Sequence, residues 1–212
     1  DWHTCPVSDK IYGSNPCSEY MFIDNSACNL ASLNLMKFRK EDGTFNVEAY
    51  RHANRIFFTA QEILVDFSSY PTAPIAQNSH DFRPLGLGYA NLGTLLMTSG
   101  LAYDSDEGRA MASAITAIMH GEAFKTSSEL ASVKGTFSQY QKNAKPMMRV
   151  MNMHRDKAYE ISDKCPKYLL DSAKEIWDDV VVFGQTYGFR NAQSTVLAPT
   201  GTIGFMMDCD TK

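Results

Sequence analysis

Asn15-Pro16-Cys17-Ser18-Glu19 leads, eleven residues after Cys17, to a second cysteine in Ala27-Cys28-Asn29-Leu30-Ala31-Ser32-Leu33-Asn34-Leu35. The second stretch alternates loosely toward an apolar strand through Leu30, Leu33 and Leu35, and the first reads as the loop ahead of it. Pro16 has no backbone N–H and biases Asn15 toward an extended conformation, so 15–19 is a loop tip rather than a central strand. Fully extended, Asn15 and Glu19 would stand about 13 Å apart on one side. A curved loop is needed to bring a carboxamide, a thiol and a carboxylic acid onto one sugar-sized target.

Further elements follow downstream. Asp42-Gly43 is a turn signal. Val47, Tyr50, Ala53, Phe57, Ala60, Leu64 and Phe67 recur at helical spacing, which predicts an amphipathic helix over 46–68, ended by Pro71 and Pro74. Residues 83–99 read as a short strand or turn running into a small-residue helix. Asp104 with Glu107 forms a capping box for a helix to about Ser132, with Met111, Ile115, Ile118 and Met119 on its apolar face and Lys134-Gly135 closing it. A shorter helix is expected near 146–158 and a longer one from Lys167 to Tyr187, stopped by Gly188. Ser194-Thr195-Val196-Leu197-Ala198 is a β-branched strand that enters Pro199-Thr200-Gly201-Thr202-Ile203-Gly204. Helices separated by short buried strands predict an α/β fold, with functional groups on loops beyond the strand ends. No linker divides residues 1–212 into two domains.

An apolar share of 44% with 21% charged residues is ordinary for a globular chain of 212 residues. The net charge of −4, with no dense Lys/Arg run, argues against direct nucleic-acid binding. No apolar run reaches the length of a membrane span, and the first residues do not form a signal peptide. Both ends look like the interior of a longer protein, so a fragment is expected. Five cysteines, at 5, 17, 28, 165 and 209, are an odd and scattered set. They fit reduced or catalytic thiols in a cytoplasmic setting better than a disulfide framework. With no Cys-x-x-Cys pair, and His3, His52, His80, His120 and His154 away from zinc-ligand spacing, no metal ligands are assigned.

Each candidate competes with a plainer role. A free cysteine is most often buried and structural, but the polar run around Cys17 is a poor core segment and favours an accessible thiol. Alone, Glu19 would be a solvated carboxylate and Asn15 a turn former; their signal lies in the constellation. Cys28, among apolar neighbours, is balanced between packed thiol and redox partner. Cys5, Cys165 and Cys209 are taken as structural, and Cys209 between two aspartates is poorly placed for a thiolate. Thr200, Gly201 and Thr202 offer hydroxyls and free N–H groups that suit a phosphate if a helix begins there; the plainer reading is an ordinary turn. No P-loop lysine accompanies them. Gly86-x-Gly88 reads as close backbone packing.

Taken in order, the Asn15–Glu19 and Ala27–Leu35 stretches, Arg83-Pro84-Leu85-Gly86-Leu87-Gly88 and Ala198–Gly204 resemble the catalytic subunit of ribonucleotide reductases. Asn-Pro-Cys-Ser-Glu-Tyr-Met-Phe, with the Ala-Pro-Thr-Gly-Thr-Ile-Gly-Phe-Met-Met-Asp-Cys-Asp run, is similar to the class II, adenosylcobalamin-dependent enzymes. The resemblance implies part of a ten-stranded α/β barrel, truncated at both ends, with the radical cysteine on a central loop. It implies Cys17 as thiyl radical, Glu19 as base at the 3′-OH and Asn15 as a substrate hydrogen-bonding group. Cys28 would be one of two reducing thiols, its partner lying upstream and matched by no residue here. Thr200, Gly201 and Thr202 would bind substrate phosphates. The implied partners are a ribonucleotide, with diphosphates the closer fit, and a thioredoxin- or glutaredoxin-like reductant; a homodimer of the full-length enzyme stays open. Most cobalamin contacts would lie outside this stretch, so the 212 residues alone are not expected to turn over. Two rivals remain: another thiyl-radical barrel, such as a glycyl-radical enzyme, and a non-catalytic phosphate-binding or interaction domain.

Overall fold

The computed structural model describes residues 1–212. Ten elements alternate loosely: β1 (Asn29–Asn34), a 3₁₀ turn (Leu35–Phe38), α1 (Val47–Phe67), α2 (Ala73–Phe82), β2 (Leu85–Ala90), α3 (Leu92–Thr98), α4 (Asp106–Lys134), α5 (Tyr140–Tyr159), α6 (Lys167–Tyr187) and α7 (Gly201–Met206). β1 and β2 pair in parallel, with Asn29 opposite Leu85 and Asn34 opposite Ala90. Parallel neighbours need a crossover, and α1 and α2 supply it.

The strand expected over Ser194–Ala198 is reduced to one parallel bridge between Leu87 and Thr195. The Leu87 N–H donates to the Ser194 carbonyl, and the Val196 N–H donates back to the Leu87 carbonyl. Leu87 thus takes both bonds of the bridge, the Leu85 N–H adds one to the Gln193 carbonyl at 2.9 Å, and Pro199 stops the segment soon after.

Helix ends follow local chemistry, with three departures from the sequence reading. Ser105, not Asp104, caps α4: its Oγ accepts from the Gly108 N–H at 3.0 Å, and the helix runs on to Lys134. α5 starts at Tyr140 rather than near 146 and carries Pro146 within it, because buried Tyr140 and Asn143 dock the preceding turn. α2 is an additional helix: Thr72 caps it and Pro74 sits in its first turn, where a missing N–H costs nothing. α6 has the expected limits and stops at Gly188.

Two apolar clusters fill the interior. One lies between the sheet and α1 and α4, and includes Leu33, Leu35, Leu87, Phe58 and Ile118; the other joins α4, α5 and α6 to the N-terminal segment through Phe22, Ile23, Phe124, Met151 and Trp177. The expected face of α4 is correct, since Met111, Ile115, Ile118 and Met119 are all buried. α1 is not as expected. It buries Tyr50, Asn54, Phe58, Gln61, Glu62 and Val65, whereas Phe57 and Leu64 are about half exposed and Phe67 is 82% exposed. Polar contacts turn the helix: Gln61 Nε2 donates to the Asn29 carbonyl, and Glu62 faces two arginines.

Glu62 Oε1 accepts from Arg83 Nε at 2.6 Å and Arg190 Nε at 2.8 Å, while Oε2 accepts from Asn191 Nδ2 at 2.5 Å. Asn191 also donates to the Arg83 carbonyl and takes a hydrogen bond from Ser127 Oγ. Arg83 sits at φ 49°, a left-handed turn between α2 and β2, and its Nη1 reaches Asp66. A second buried polar contact joins α4 to α5. His120 Nδ1 meets Thr195 Oγ1 at 2.5 Å, and its Nε2 lies 3.3 Å from His154 Nε2, with Trp177 stacked on His154. Burial, aided by His154, holds the His120 pKa well below its ordinary value, and burial lowers that of His154 to about 4.

Two predictions follow from these buried groups. Glu62→Ala leaves Arg83 with the exposed Asp66 alone as its carboxylate and Arg190 with backbone carbonyls alone, and is expected to cost about 3 kcal/mol, read as a lowered urea midpoint of this chain. The histidines are neutral when folded and take up protons on unfolding below about pH 6.5, so their contribution is present above that pH and is lost as pH falls toward 4. His154→Phe is expected to flatten stability between pH 6.5 and 4; an unchanged slope would show that the pair does not govern the acid limb.

Candidate functional site

The loop tip is curved. The Ser18 N–H closes a turn onto the Asn15 carbonyl at 3.0 Å, with Ser18 in the left-handed region at φ 63°. The Asn15 N–H donates to the Tyr20 carbonyl, and the Tyr20 N–H donates to Asn15 Oδ1 at 2.9 Å. Asn15 therefore spends its side-chain oxygen on the loop and keeps its Nδ2 free to donate. Behind the tip, buried Phe22 and Ile23 anchor the chain in the second core cluster, and the Tyr20 hydroxyl pairs with Ser26 Oγ. The loop is thus short and held at its base.

Three groups along this segment differ sharply in environment. Cys17, at the tip, is the one exposed thiol of the chain. Glu19 has one carboxylate oxygen, Oε2, that is buried without a hydrogen-bond partner. Such an orphaned acceptor is costly and calls for an explanation in function. Cys28 lies just ahead of β1, and burial first, then the nearby Glu19 charge, push its thiol up to about 12. It is a protonated S–H at neutral pH. Glu19 is therefore near enough for its charge to act on Cys28, while Cys17 is exposed on the loop that carries Glu19.

The Thr200 loop lies elsewhere on the sheet. α7 does begin at Gly201, and the N–H groups of Gly201, Thr202 and Ile203 carry no hydrogen bond. Thr200 is in the left-handed region and buried, and its hydroxyl turns back to the Pro199 carbonyl, so Gly201 and Thr202 form the open part of the loop. Two asparagines at the C-terminal ends of the strands clasp the segment that follows. Asn34 Nδ2 donates to the Met207 carbonyl, Asn91 Nδ2 donates to Asn34 Oδ1, and Asn91 Oδ1 accepts from the Thr211 N–H. No hydrogen bond links this loop to residues 15–19.

Of the remaining cysteines, Cys5 and Cys165 are buried and Cys209 is partly exposed. Burial pushes Cys5 up to about 12 and Cys165 to about 11. Cys209 is raised too, first by burial and then by Asp208 and Asp210, as its sequence neighbours suggested. No group of three or more metal-ligating side chains gathers anywhere. A cavity of about 1010 Å³ lies beside the His120–His154 pair and is lined by none of these thiols. Sequence spacing could not reveal that pair, because the histidines are 34 residues apart on separate helices. No helix is long and apolar enough to cross a membrane.

An exposed thiol, an orphaned carboxylate and a protonated second thiol, with an open N–H loop at the strand ends, define a thiol-bearing α/β segment. A family model described as "Ribonucleotide reductase, barrel domain" matches residues 1–212. The vitamin B12-dependent ribonucleotide reductase of Rhodopirellula baltica is 64% identical over 210 residues, 99% of this chain and 20% of that protein. The protein of the same name from Streptomyces avermitilis is 52% identical over 217 residues, 99% of this chain and 22% of its own length. That from Bradyrhizobium diazoefficiens is 49% identical over 228 residues, 100% of this chain and 18% of its length. The chain belongs to the ribonucleotide reductase barrel-domain family. It spans about a fifth of the length of these curated relatives.

The electrostatic coupling of Glu19 to Cys28 is directly testable. Glu19→Gln removes the negative charge that helps raise the Cys28 pKa, so the thiolate fraction of Cys28 at pH 8 is expected to rise. Iodoacetamide labelling followed by peptide mass spectrometry should show Cys17 modified first in both proteins and Cys28 modified faster in the variant. An unchanged Cys28 rate would remove the coupling.

Proposed function

We propose that this chain carries the ribose-reducing centre of a ribonucleotide reductase, with Cys17 as the thiyl radical site. The observation that carries this reading is the loop itself, which exposes one thiol while holding a partnerless carboxylate beside a second, protonated thiol. The thiyl form of Cys17 removes the 3′ hydrogen of a bound ribonucleotide. Glu19 Oε2, with no protein donor to compete, takes the 3′-OH proton, which eases departure of the 2′ oxygen. Asn15 orients the ribose through its free Nδ2. Cys28 supplies one of two reducing S–H groups; the other comes from outside this stretch. In sum, a ribonucleotide and two thiols give a deoxyribonucleotide, water and one disulfide. Cys17 recovers its hydrogen at the end of each turnover.

Gly201 and Thr202 are proposed to hold the substrate phosphates through open backbone N–H groups and the Thr202 hydroxyl, with Thr200 fixing the turn. The resemblance favours nucleoside diphosphates. The names of the relatives support adenosylcobalamin as cofactor. Cys17, exposed and free of hydrogen bonds, fits a radical source approaching from outside the loop. When bound, that cofactor supplies the radical that takes the hydrogen atom from Cys17. The parallel pair and its bridged third segment are read as part of a larger α/β barrel, in which ten strands would enclose the loop and shield the radical from water. Five free cysteines fit a reducing, cytoplasmic setting and a thioredoxin- or glutaredoxin-like dithiol as electron donor.

A chimera in which this chain replaces the matching stretch of the Rhodopirellula baltica protein provides the test. With adenosylcobalamin, a dithiol and cytidine diphosphate, Cys17→Ser is expected to abolish deoxycytidine diphosphate formation, a loss of at least about 10⁴-fold, since no other group can carry the radical. Unaltered reduction by that variant would exclude the radical role and leave the phosphate-binding reading.

A further inference from the structure

β1 and β2 divide their side chains between two faces. Leu33, Leu87 and Tyr89 enter the core, while Cys28, Leu30 and Gly86 share the opposite face. Leu30 is directly opposite Gly86 in the parallel register. A Cβ placed on Gly86 would lie 2.3 Å from Cys28 Sγ, 2.8 Å from Leu30 Cδ2 and 3.0 Å from Val196 Cγ2. Side chains from both flanking segments lean into the space where a Gly86 side chain would stand, and the nearest atom is the sulfur. Gly88, two residues on, is different: its Cβ would meet the Val196 carbonyl oxygen at 2.3 Å, so it is needed for backbone approach.

We propose that Gly86 is a positioning residue for Cys28, its missing side chain forming the seat that fixes Sγ against β2. This rests on the reading of Cys28 as a reducing thiol. Non-bonded carbon and sulfur atoms settle at roughly 3.5–4 Å, so an alanine at 86 must move the sulfur by roughly 1–2 Å or turn it to another rotamer. The core face would be untouched, because Leu85 and Leu87 point the other way. A thiol misplaced by about 1 Å loses on the order of 100-fold in the step it serves. The step served by Cys17 does not use the seat.

Gly86→Ala in the same chimera tests this through a split between two readouts. Removal of the 3′ hydrogen, followed as tritium release from 3′-tritiated cytidine diphosphate, should persist. Dithiol-driven deoxynucleotide formation should fall ~100-fold, and the alkylation rate of Cys28 should change. An intact fold with the wild-type Cys28 alkylation rate and wild-type reduction would overturn the proposal. Should Gly86→Ala unfold the protein, the double variant Cys28→Ala/Gly86→Ala decides. Recovery to the melting temperature of Cys28→Ala supports the seat; a double variant as unstable as Gly86→Ala alone overturns it. Cys28→Ala by itself separates the two readings: full dithiol-driven turnover without Cys28 would remove its reducing role, and alkylation of Cys28 in Gly86→Ala would still report on the seat.

Discussion

The carboxylate of Glu62 is the constraint on which the arrangement depends. It is buried and gathers three donors from two places distant in sequence: Arg83 just before β2, and Arg190 and Asn191 just before the third sheet segment. Two guanidiniums on one carboxylate satisfy its lone pairs, which is what makes a charge tolerable in the interior. Arg83 adopts a left-handed backbone to reach it, and that turn aims β2. Asn191, bonded to Glu62, Ser127 and the Arg83 carbonyl, fixes where the chain re-enters the sheet. The spacing of β2 from the Ser194–Val196 segment follows, and with it the approach of Val196 to Gly86 and Gly88.

From that frame the sheet acquires two unlike faces. One closes on aliphatic side chains from α1 and α4; the other carries glycines, a thiol and Leu30, which stays 57% exposed. The Asn15–Glu19 loop precedes the thiol in the chain, and it is held by its own hydrogen bonds and by anchors behind it. Phe22 packs on Phe82 at 5.7 Å between centroids, so the base of the loop is fixed by the residue that ends α2. The glycine-containing loop at the strand ends is held through Asn34 and Asn91, the latter in a left-handed conformation tolerated by its short polar side chain. Rigid elements thus hold both candidate subsites at opposite ends of the same short strands.

Much of this was legible in the sequence because it rests on local signals. The limits of α6, the apolar face of α4, the turn at Asp42-Gly43 and the loop character of the Asn-Pro-Cys-Ser-Glu tip follow from periodicity, glycine and proline. The grouping of Cys17, Glu19 and Cys28 as candidates came from motif order and not from periodicity. What was hidden depends on tertiary contact. α1 turns its polar Gln61 and Glu62 inward because their partners lie in β1 and beyond α6, which periodicity cannot see. α5 begins before Pro146 because buried Tyr140 and Asn143 hold its first turn against the N-terminal segment and Phe189. The Thr200 hydroxyl, read as open to a phosphate, is instead used by the backbone turn that makes Gly201 and Thr202 available. The closeness of Cys28 Sγ to Gly86 depends on the pairing of β1 with β2, which no local signal in either strand reveals.

The central claim is that the unpaired electron resides on Cys17 during turnover. Rapid-freeze electron paramagnetic resonance on the chimera, prepared with β-deuterated cysteine and loaded with adenosylcobalamin and cytidine diphosphate, tests it most directly. The expected result is a sulfur-centred signal narrowed by deuteration, kept in Cys28→Ala and lost in Cys17→Ala. The same narrowed signal persisting in Cys17→Ala would contradict the claim.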